Sequence, residues 1–514
     1  MPDEIELKLR VPPDRVAELK RNPLLRSLAR RRAVTHHLTS VYFDTPDLML
    51  ARNAMALRVR HMGRRRIQTL KLPKGQGNGL QVHRELECEI SGDRPEFACI
   101  DDETLQAFFD GNGIPGTIAP VFVTEFDRSV RQLQLFDSDI EFALDLGEIK
   151  GADRALPICE AELELRSGNP RRLFELALAL NGSVPLALEQ RTKAARGYGL
   201  LTDTPPRAER ARPVLLDPEM TAATAFTAIA RNCLAQLRAN EACALDGQES
   251  EGVHQMRVAV RRMRALIGAY KPLLAPEAHA TLGHDLRWLQ RQLGAARDWD
   301  VFVEQTLTPL RMRLPDEPGL AGVVGAAQAL RETAHGTARA ALAGDRYTRL
   351  LLTLELWLDS GDWARRADGT PDAVRPEQAV TLFAQDVLAR RHKRLHKLGG
   401  KHATLDEPDL HRLRLLGKKM RYVAEFFRSL YPRKASRRYL AALAEIQDRL
   451  GTLNDAVVTR ALLARIEERL GRGEDVGKAM GVVLGWQAAR TEHDLAKVGA
   501  VWEDFRDCKP FWKG

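Results

Sequence analysis

Cysteine, aromatic side chains and long apolar runs are all scarce in this chain of 514 residues, and each shortage excludes something. The six cysteines (Cys88, Cys99, Cys159, Cys233, Cys243 and Cys508) include no C-x-x-C pair. That spacing argues against a thiolate zinc site and a disulfide framework, and fits a reducing cytosol. Aromatics make up 6% of the chain, and no tryptophan occurs in residues 1–200. Neither an RNP-like stretch nor zinc-finger spacing is present, so nucleic acid is not favoured as a partner. No apolar run approaches the roughly 18–20 residues that span a bilayer. The first residues read as acidic strand rather than as the apolar core of a signal peptide. The expectation is a soluble, cytoplasmic protein with no membrane partner.

Charge is present in quantity but unevenly placed. Residues 1–200 hold 29 basic and 29 acidic side chains, and the remainder holds 49 against 40, which is the whole net charge of +9. A balanced first part suits a site that mixes cation-binding carboxylates with anion-binding cations. A basic second part attracts polyanions. The length predicts more than one domain. Texture divides the chain into a β-rich region (1–201), a proline-containing linker (202–218, with Pro205, Pro206 and Pro213) and an all-helical region (219–514).

In the first region the strands alternate the wrong way for an ordinary core. Glu4, Glu6, Lys8 and Arg10 share one face, against Ile5, Leu7, Leu9 and Val11. The same pattern recurs in Arg58 and Arg60, in Thr69 and Lys71, in His83, Glu85, Glu87 and Glu89, in Glu141 and Asp145, and in Glu160, Glu162 and Glu164. Arg128 falls in a further candidate strand. Strands are predicted at 5–11, 57–61, 67–72, 81–90, 121–135, 140–146 and 158–165, with a hairpin turn at Gly75–Gly79 and helices at 13–21, 105–112 and 171–180. One such strand is ordinarily a solvated edge. Seven predict a closed antiparallel sheet with a charged interior, where Mg²⁺ or Mn²⁺ would share space with a phosphate chain gripped by Arg and Lys.

These residues bring a resemblance into view. Glu4-Ile-Glu-Leu-Lys8 resembles the N-terminal E-x-E-x-K signature of the CYTH, or triphosphate tunnel metalloenzyme, superfamily. Tyr42-Phe-Asp-Thr-Pro46, Leu57-Arg-Val-Arg60, Thr69-Leu-Lys71, Arg128, Leu144-Asp-Leu-Gly-Glu148, Pro157–Glu164 and Lys193-Ala-Ala-Arg-Gly197 follow in family order. The resemblance implies a β tunnel that hydrolyses inorganic triphosphate to diphosphate and phosphate. It implies metal-binding acids at Glu4, Glu6, Glu162 and Glu164, with Asp145 in support and Glu160 as a competitor on the same face. Substrate-binding cations fall on Lys8, Arg58, Arg60, Lys71, Arg128 and Lys193. Of these Lys8, Arg128 and Lys193, together with Glu85, are the candidate catalytic residues, and Glu87 competes with Glu85. Ala54 stands where relatives commonly have glycine, and His83 where some have arginine. Thiamine triphosphatases and one class of adenylyl cyclases share the superfamily, so an organic triphosphate is an alternative substrate, and a non-catalytic polyphosphate or nucleic-acid scaffold is the rival of another class.

The helical region repeats itself at an offset of 157 residues. His254, Arg257, Arg261, Arg262 and Arg264 recur as His411, Arg414, Lys418, Lys419 and Arg421, and Gln290, Leu293, Gly294 and Asp298 recur as Gln447, Leu450, Gly451 and Asp455. Two homologous bundles are expected, at about 219–375 and 376–514. On each helix the basic residues form one stripe, while Met256, Val260, Met263 and Ile267 form the opposite, core-facing one. This pattern resembles the CHAD domain, a helical module with a conserved histidine that is often fused behind CYTH domains. The resemblance implies inorganic polyphosphate binding at His254, Arg257, Arg261, Arg264, His411, Arg414, Lys418 and Arg421.

Overall fold

The structure is a computed structural model, and it describes residues 4–73, 80–151, 153–202, 205–361, 363 and 376–513. The chain divides into two compact units. One comprises Met1–Pro205 with Ala343–Ser360, the other Pro206–Leu342 with Gly361–Gly514.

In the first unit, eight long antiparallel strands run in the order β5-β4-β3-β2-β6-β7-β8-β1. They are β1 (Glu4–Arg10), β2 (Val34–Asp44), β3 (Ala56–Met62), β4 (Arg65–Pro73), β5 (Gln81–Ile90), β6 (Ala119–Leu135), β7 (Ser138–Gly151) and β8 (Arg154–Ser167). β1 also pairs with β5, Glu4 opposite His83, and this closes the sheet into a barrel; a short β9 (Ala187–Leu188) adds to the outside of β1. The barrel is inverted relative to a common core. Leu7, Leu9, Leu144, Ala161 and Leu163 are buried on the faces opposite the charged rows. The helix Arg171–Asn181 packs against β1 and β8. Apolar burial therefore closes the outside of the wall and leaves the period-two charged rows to the interior.

Seven strands were anticipated from alternation; β2 was not, because Val34–Asp44 mixes two histidines, two threonines and a serine without a clean apolar face. The hairpin expected at Gly75–Gly79 lies outside the described residues. A correction concerns cysteine: Cys88 and Cys99 are joined as a disulfide with Cα atoms 6.4 Å apart, while Cys159, Cys233, Cys243 and Cys508 are free. The turn after β5 brings a residue 11 positions away back to the strand, a juxtaposition that no short cysteine motif signals.

Two motif positions have local structural reasons. Asp44 accepts hydrogen bonds from the backbone N–H groups of Thr45 (2.7 Å), Leu50 (2.9 Å) and Ala51 (2.9 Å), so it caps the short helix Met49–Arg52 at the end of β2. Gly197 lets its helix, Lys193–Leu201, lie on Phe122; a Cβ there would sit 2.2 Å from the ring. Ala54, by contrast, occupies a left-handed conformation with φ +56°. That conformation is costly for any residue with a Cβ. Ala54→Gly is accordingly expected to stabilise the first unit by about 0.5–1 kcal/mol, the relief outweighing the added unfolded-state entropy; an unchanged or lowered urea midpoint would refute this.

The second unit repeats its elements at the offset read from the sequence. Ser250–Tyr270, a turn at Lys271–Leu273 and a helix from Pro276 correspond to Glu407–Phe427, a turn at Arg428–Leu430 and a helix from Arg433. The two 21-residue helices pack on each other, with Met256, Val260, Met263 and Ile267 buried. The repetition is not carried by contiguous chain alone: the helix Asp345–Ser360 belongs with the first unit, where the Asn181 side-chain amide donates to the Asp345 carbonyl at 3.2 Å. The segment expected to be a linker is docked from Pro206 onward. Glu209 exchanges two 2.8 Å hydrogen bonds with the Asn240 side chain, and Leu216 donates to Ser429. Among the described residues no helix is long and apolar enough to cross a membrane.

Candidate functional site

Barrel closure encloses a cavity of about 800 Å³ whose wall includes Glu4, Glu6, Lys8, Arg58, Arg60, Lys71, Glu85, Arg128, Glu162, Glu164 and Lys193. Register explains the convergence. Across β1 and β8, Glu6 faces Glu164, Lys8 faces Glu162 and Arg10 faces Glu160; across β7 and β8, Glu141 faces Glu164 and Asp145 faces Glu160. Lys71 faces Glu85 across β4 and β5, and Arg128 faces Asp145 across β6 and β7.

The charges sort into three groups. The first is a buried, self-neutralised cluster. Asp145 and Glu160 are withdrawn behind the cavity wall, both essentially without solvent exposure. Arg128 grips Asp145 with two hydrogen bonds of 2.8 and 2.7 Å and also pairs with Glu162. The Lys193 ammonium lies 2.7 Å from Asp145 and 2.9 Å from Glu162 and pairs with Glu160, which Arg196 holds at 2.5 Å. Lys8 lies 2.9 Å from Glu6 and 3.1 Å from Glu162. Glu6, Asp145, Glu160 and Glu162 are thus matched by Lys8, Arg128, Lys193 and Arg196. Burial opposes the charge on Lys8 and Lys193, yet the surrounding carboxylates hold both ammonium groups well above their ordinary pKa. Asp145, Glu160 and Glu162 do bring carboxylate oxygens within 4.8 Å of one another, but Lys193 already sits among them, so a divalent ion fits poorly there.

The second group is acidic and incompletely matched. Glu4, Glu6, Glu141 and Glu164 meet at one stretch of the wall. Their close cations are Lys8 on Glu6, Lys71 at 3.2 Å from Glu4, and Arg166 at 2.5 Å from Glu164 and 2.9 Å from Glu141. Burial raises the Glu164 pKa, and despite Arg166 the charges of Glu4, Glu141 and Glu6 keep it up, to about 7. A carboxyl whose proton is favoured by burial and by neighbouring carboxylates marks where a cation would be stabilised. The third group is cationic. Arg60 donates only to Ser40 at 3.4 Å and has no ion pair with a carboxylate among the described residues. Burial, then Arg58 and Arg128, lower its pKa to about 10. Glu85 behaves oppositely: burial would raise its pKa, but Lys71, Glu4 and Arg58 bring it to about 2. Glu87 accepts from the Thr69 hydroxyl at 2.8 Å. His83 pairs in register with Glu4 but does not line the cavity.

Sequence reasoning passed over Arg166 and gave Glu141 no role. Both were on the charged face, Arg166 two residues after Glu164 and Glu141 four before Asp145, so period two alone could have found them.

In the second unit a cavity of about 770 Å³ brings together His254, Arg257, Arg261, Arg414, Lys418 and Arg421, along with Arg297, Asp298, Asp455 and Arg490. Arg257 donates to the Gly294 carbonyl (2.9 Å) and to Asp298 (3.0 Å), whereas its counterpart Arg414 donates to Asn454 (3.0 Å). Burial, then Arg414, Arg261 and Arg257, push Lys418 down to about 7. Burial and Arg297 push His254 to about 4. Two residues of the expected stripe are elsewhere. Arg264 bonds to Gln290 and lines a different groove, and His411 is exposed where its counterpart His254 is half-buried.

Comparison with known proteins agrees with this division. The CYTH domain family matches residues 2–198 and the CHAD domain family residues 228–464. An inorganic triphosphatase of Haemophilus influenzae is 32% identical over 207 residues; the match takes in 38% of this chain and about half, 55%, of that relative's length. An uncharacterized protein of Mycobacterium tuberculosis is 26% identical over 413 residues, 76% of each chain. The crystal structure of the CHAD domain from the plant Ricinus communis is similar with a TM-score of 0.51 and 32% identity, covering 59% of this chain and 98% of that one. The chain belongs to the CHAD family and carries a CYTH domain ahead of its CHAD domain.

Proposed function

We propose that the barrel hydrolyses inorganic triphosphate to diphosphate and phosphate with Mg²⁺ or Mn²⁺, and that the helical unit binds inorganic polyphosphate. One observation carries the reading: the barrel cavity sets Glu4 and Glu164, which share their cations with other acids, beside Glu6 and alongside Arg58 and Arg60, the latter with no carboxylate partner among the described residues. The name of the Haemophilus relative supports it. The cavity's aromatic side chains are Tyr42 and Phe126, and Phe126 lies under Arg128 and Lys193, which favours a bare phosphate chain over a substrate with a heterocycle.

In this reading a divalent ion would be held by Glu4, Glu6 and Glu164, with Glu162 adjoining, and would polarise phosphoryl oxygens and acidify a bound water. Arg58 and Arg60 grip phosphate oxygens, for which guanidinium is suited. Lys8 and Arg128 present positive charge at the wall while tethered to Glu162. Lys193, on the cavity wall, fixes Asp145, Glu160 and Glu162, and Arg196 holds Glu160. Glu85 stays ionised at working pH, so it orients Lys71 rather than accepting a proton. The test is phosphate release from inorganic triphosphate, ATP and thiamine triphosphate with each metal, using Glu4→Ala and Lys8→Ala as controls. Activity on ATP alone, or on none of the three, would overturn the proposal.

For the helical unit the groove around Lys418 gives a pH signature. The ammonium faces Arg414 on its own helix, Arg261 and Arg257 on the paired helix, and Asp455 as the opposing acid. A bound polyanion favours the protonated form, so polyphosphate affinity is expected to fall as pH rises through about 7. Lys418→Arg, always charged, should flatten that profile; an equally steep profile in the variant would exclude Lys418 as its source.

A further inference from the structure

The helical unit holds a second cavity, of about 880 Å³, between the helices Ser250–Tyr270, Val380–Gly399 and Glu407–Phe427. It differs in composition from the groove of His254. That groove mixes its cations with Asp298, Asp455 and Asp494. Among the described residues lining the second cavity there is no aspartate or glutamate, but Arg264, Arg391, Arg394 and Lys419 all contribute. The nearby acid Asp386 pairs with Arg390 on the rim at 2.9 Å. Among the described residues Arg264 bonds to the neutral amide of Gln290 and to no carboxylate. The floor is apolar, built from Ala265, Ala269, Val387 and Leu416. Burial with Arg394 and Arg390 brings the Arg391 pKa to about 10.

Cations gathered without acids repel one another unless an anion joins them. Inorganic polyphosphate would satisfy the rim but leave the apolar floor against water. A ligand that carries several phosphates on a flat, largely apolar body satisfies both, and the volume is that of small-molecule sites. We propose that this cavity is a binding site for a nucleoside triphosphate, with its phosphates on Arg264, Arg391 and Lys419 and its base on the Ala265–Leu416 floor. Arg261 and Lys418 line this cavity and the His254 groove alike. Nucleotide here therefore draws on cations that the other groove also uses. The inference does not depend on the barrel being a triphosphatase.

The test uses the full chain with Arg60→Ala in the barrel, so that the tunnel contributes little, in metal-free buffer at fixed salt. Binding of a fluorescent N-methylanthraniloyl ATP is titrated and then reversed with unlabelled competitors. Arg391→Ala and Lys419→Ala are each expected to weaken binding about tenfold, and Arg257→Ala to change it by no more than about twofold. Lys419 is exposed, so its substitution leaves the core intact, and melting curves check this. Unlabelled ATP should displace the probe at concentrations at least tenfold lower than inorganic triphosphate. Loss of binding in Arg257→Ala rather than in the two cavity variants would overturn the assignment. Equal displacement by ATP and inorganic triphosphate would do so as well, because the apolar floor would then contribute nothing.

Discussion

Lys193→Met is expected to destabilise the barrel by about 3–5 kcal/mol, the largest stability effect of any single substitution considered for this chain. The Lys193 ammonium is buried, within 2.7 Å of Asp145 and 2.9 Å of Glu162, and also pairs with Glu160. Methionine keeps much of the volume but removes the charge. Glu6, Asp145, Glu160 and Glu162 are then left with Lys8, Arg128 and Arg196, one cation short, with Asp145 and Glu160 out of reach of water. A buried ion pair contributes little relative to an apolar replacement of both partners, but removing one partner leaves the other charge stranded. The sign with pH follows from the carboxylate. The Glu162 pKa, though burial raises it, is brought well below 4.5 by Lys193, Lys8 and Arg128. Its stabilising contribution is present above its unfolded value and lost as pH falls toward the folded one. In Lys193→Met that loss should begin at higher pH. Hydrogen exchange of β7 and β8 reads the effect locally: protection within about 0.5 kcal/mol of wild type would show that the cluster is not a neutral unit.

Arg60→Ala is expected to behave in the opposite way, and the contrast separates binding from scaffolding. Removing a guanidinium that grips substrate oxygens should reduce kcat/KM for inorganic triphosphate by 10²–10³, about 3–4 kcal/mol of transition-state stabilisation. Yet Arg60 has no acidic ion-pair partner among the described residues, and its charge is disfavoured by burial, Arg58 and Arg128. Its loss should therefore leave the barrel as stable as before, or more so. A residue that disturbs its own fold and is retained for what it binds has this double signature. Arg58→Ala should show a similar loss of activity without the gain in stability, since Arg58 also serves Tyr42 and Glu85. If Arg60→Ala keeps full activity, or loses activity only in proportion to lost stability, the guanidinium is structural.

How far the residues alone led can be judged from particular positions. Alternation in Glu4–Lys8, Arg58–Arg60 and Glu160–Glu164 indicated which side chains share a face, because period two is imposed by the backbone. It could not indicate depth. Asp145 and Glu160 lie in the same rows as Glu141 and Glu164, yet the first two are sealed behind Lys193 and Arg196 while the others open on the cavity. Depth is set by the helix Lys193–Leu201 closing on the barrel, a long-range packing event with no local signature. The same reason hid the Cys88–Cys99 bridge and the placement of Asp345–Ser360, whose amphipathic texture matches that of the helices around it. Repetition at 157 residues identified equivalent helices but not equivalent environments, as half-buried His254 and exposed His411 demonstrate.

The claim on which the barrel's chemistry rests is that Glu4, Glu6 and Glu164 together bind a divalent ion in the barrel cavity. Calorimetric titration of Mn²⁺ into wild type and Glu164→Gln tests it most directly. The account predicts a site whose affinity falls at least tenfold in the variant and tightens in wild type when inorganic triphosphate is present. Indistinguishable Mn²⁺ binding by the two proteins would contradict it.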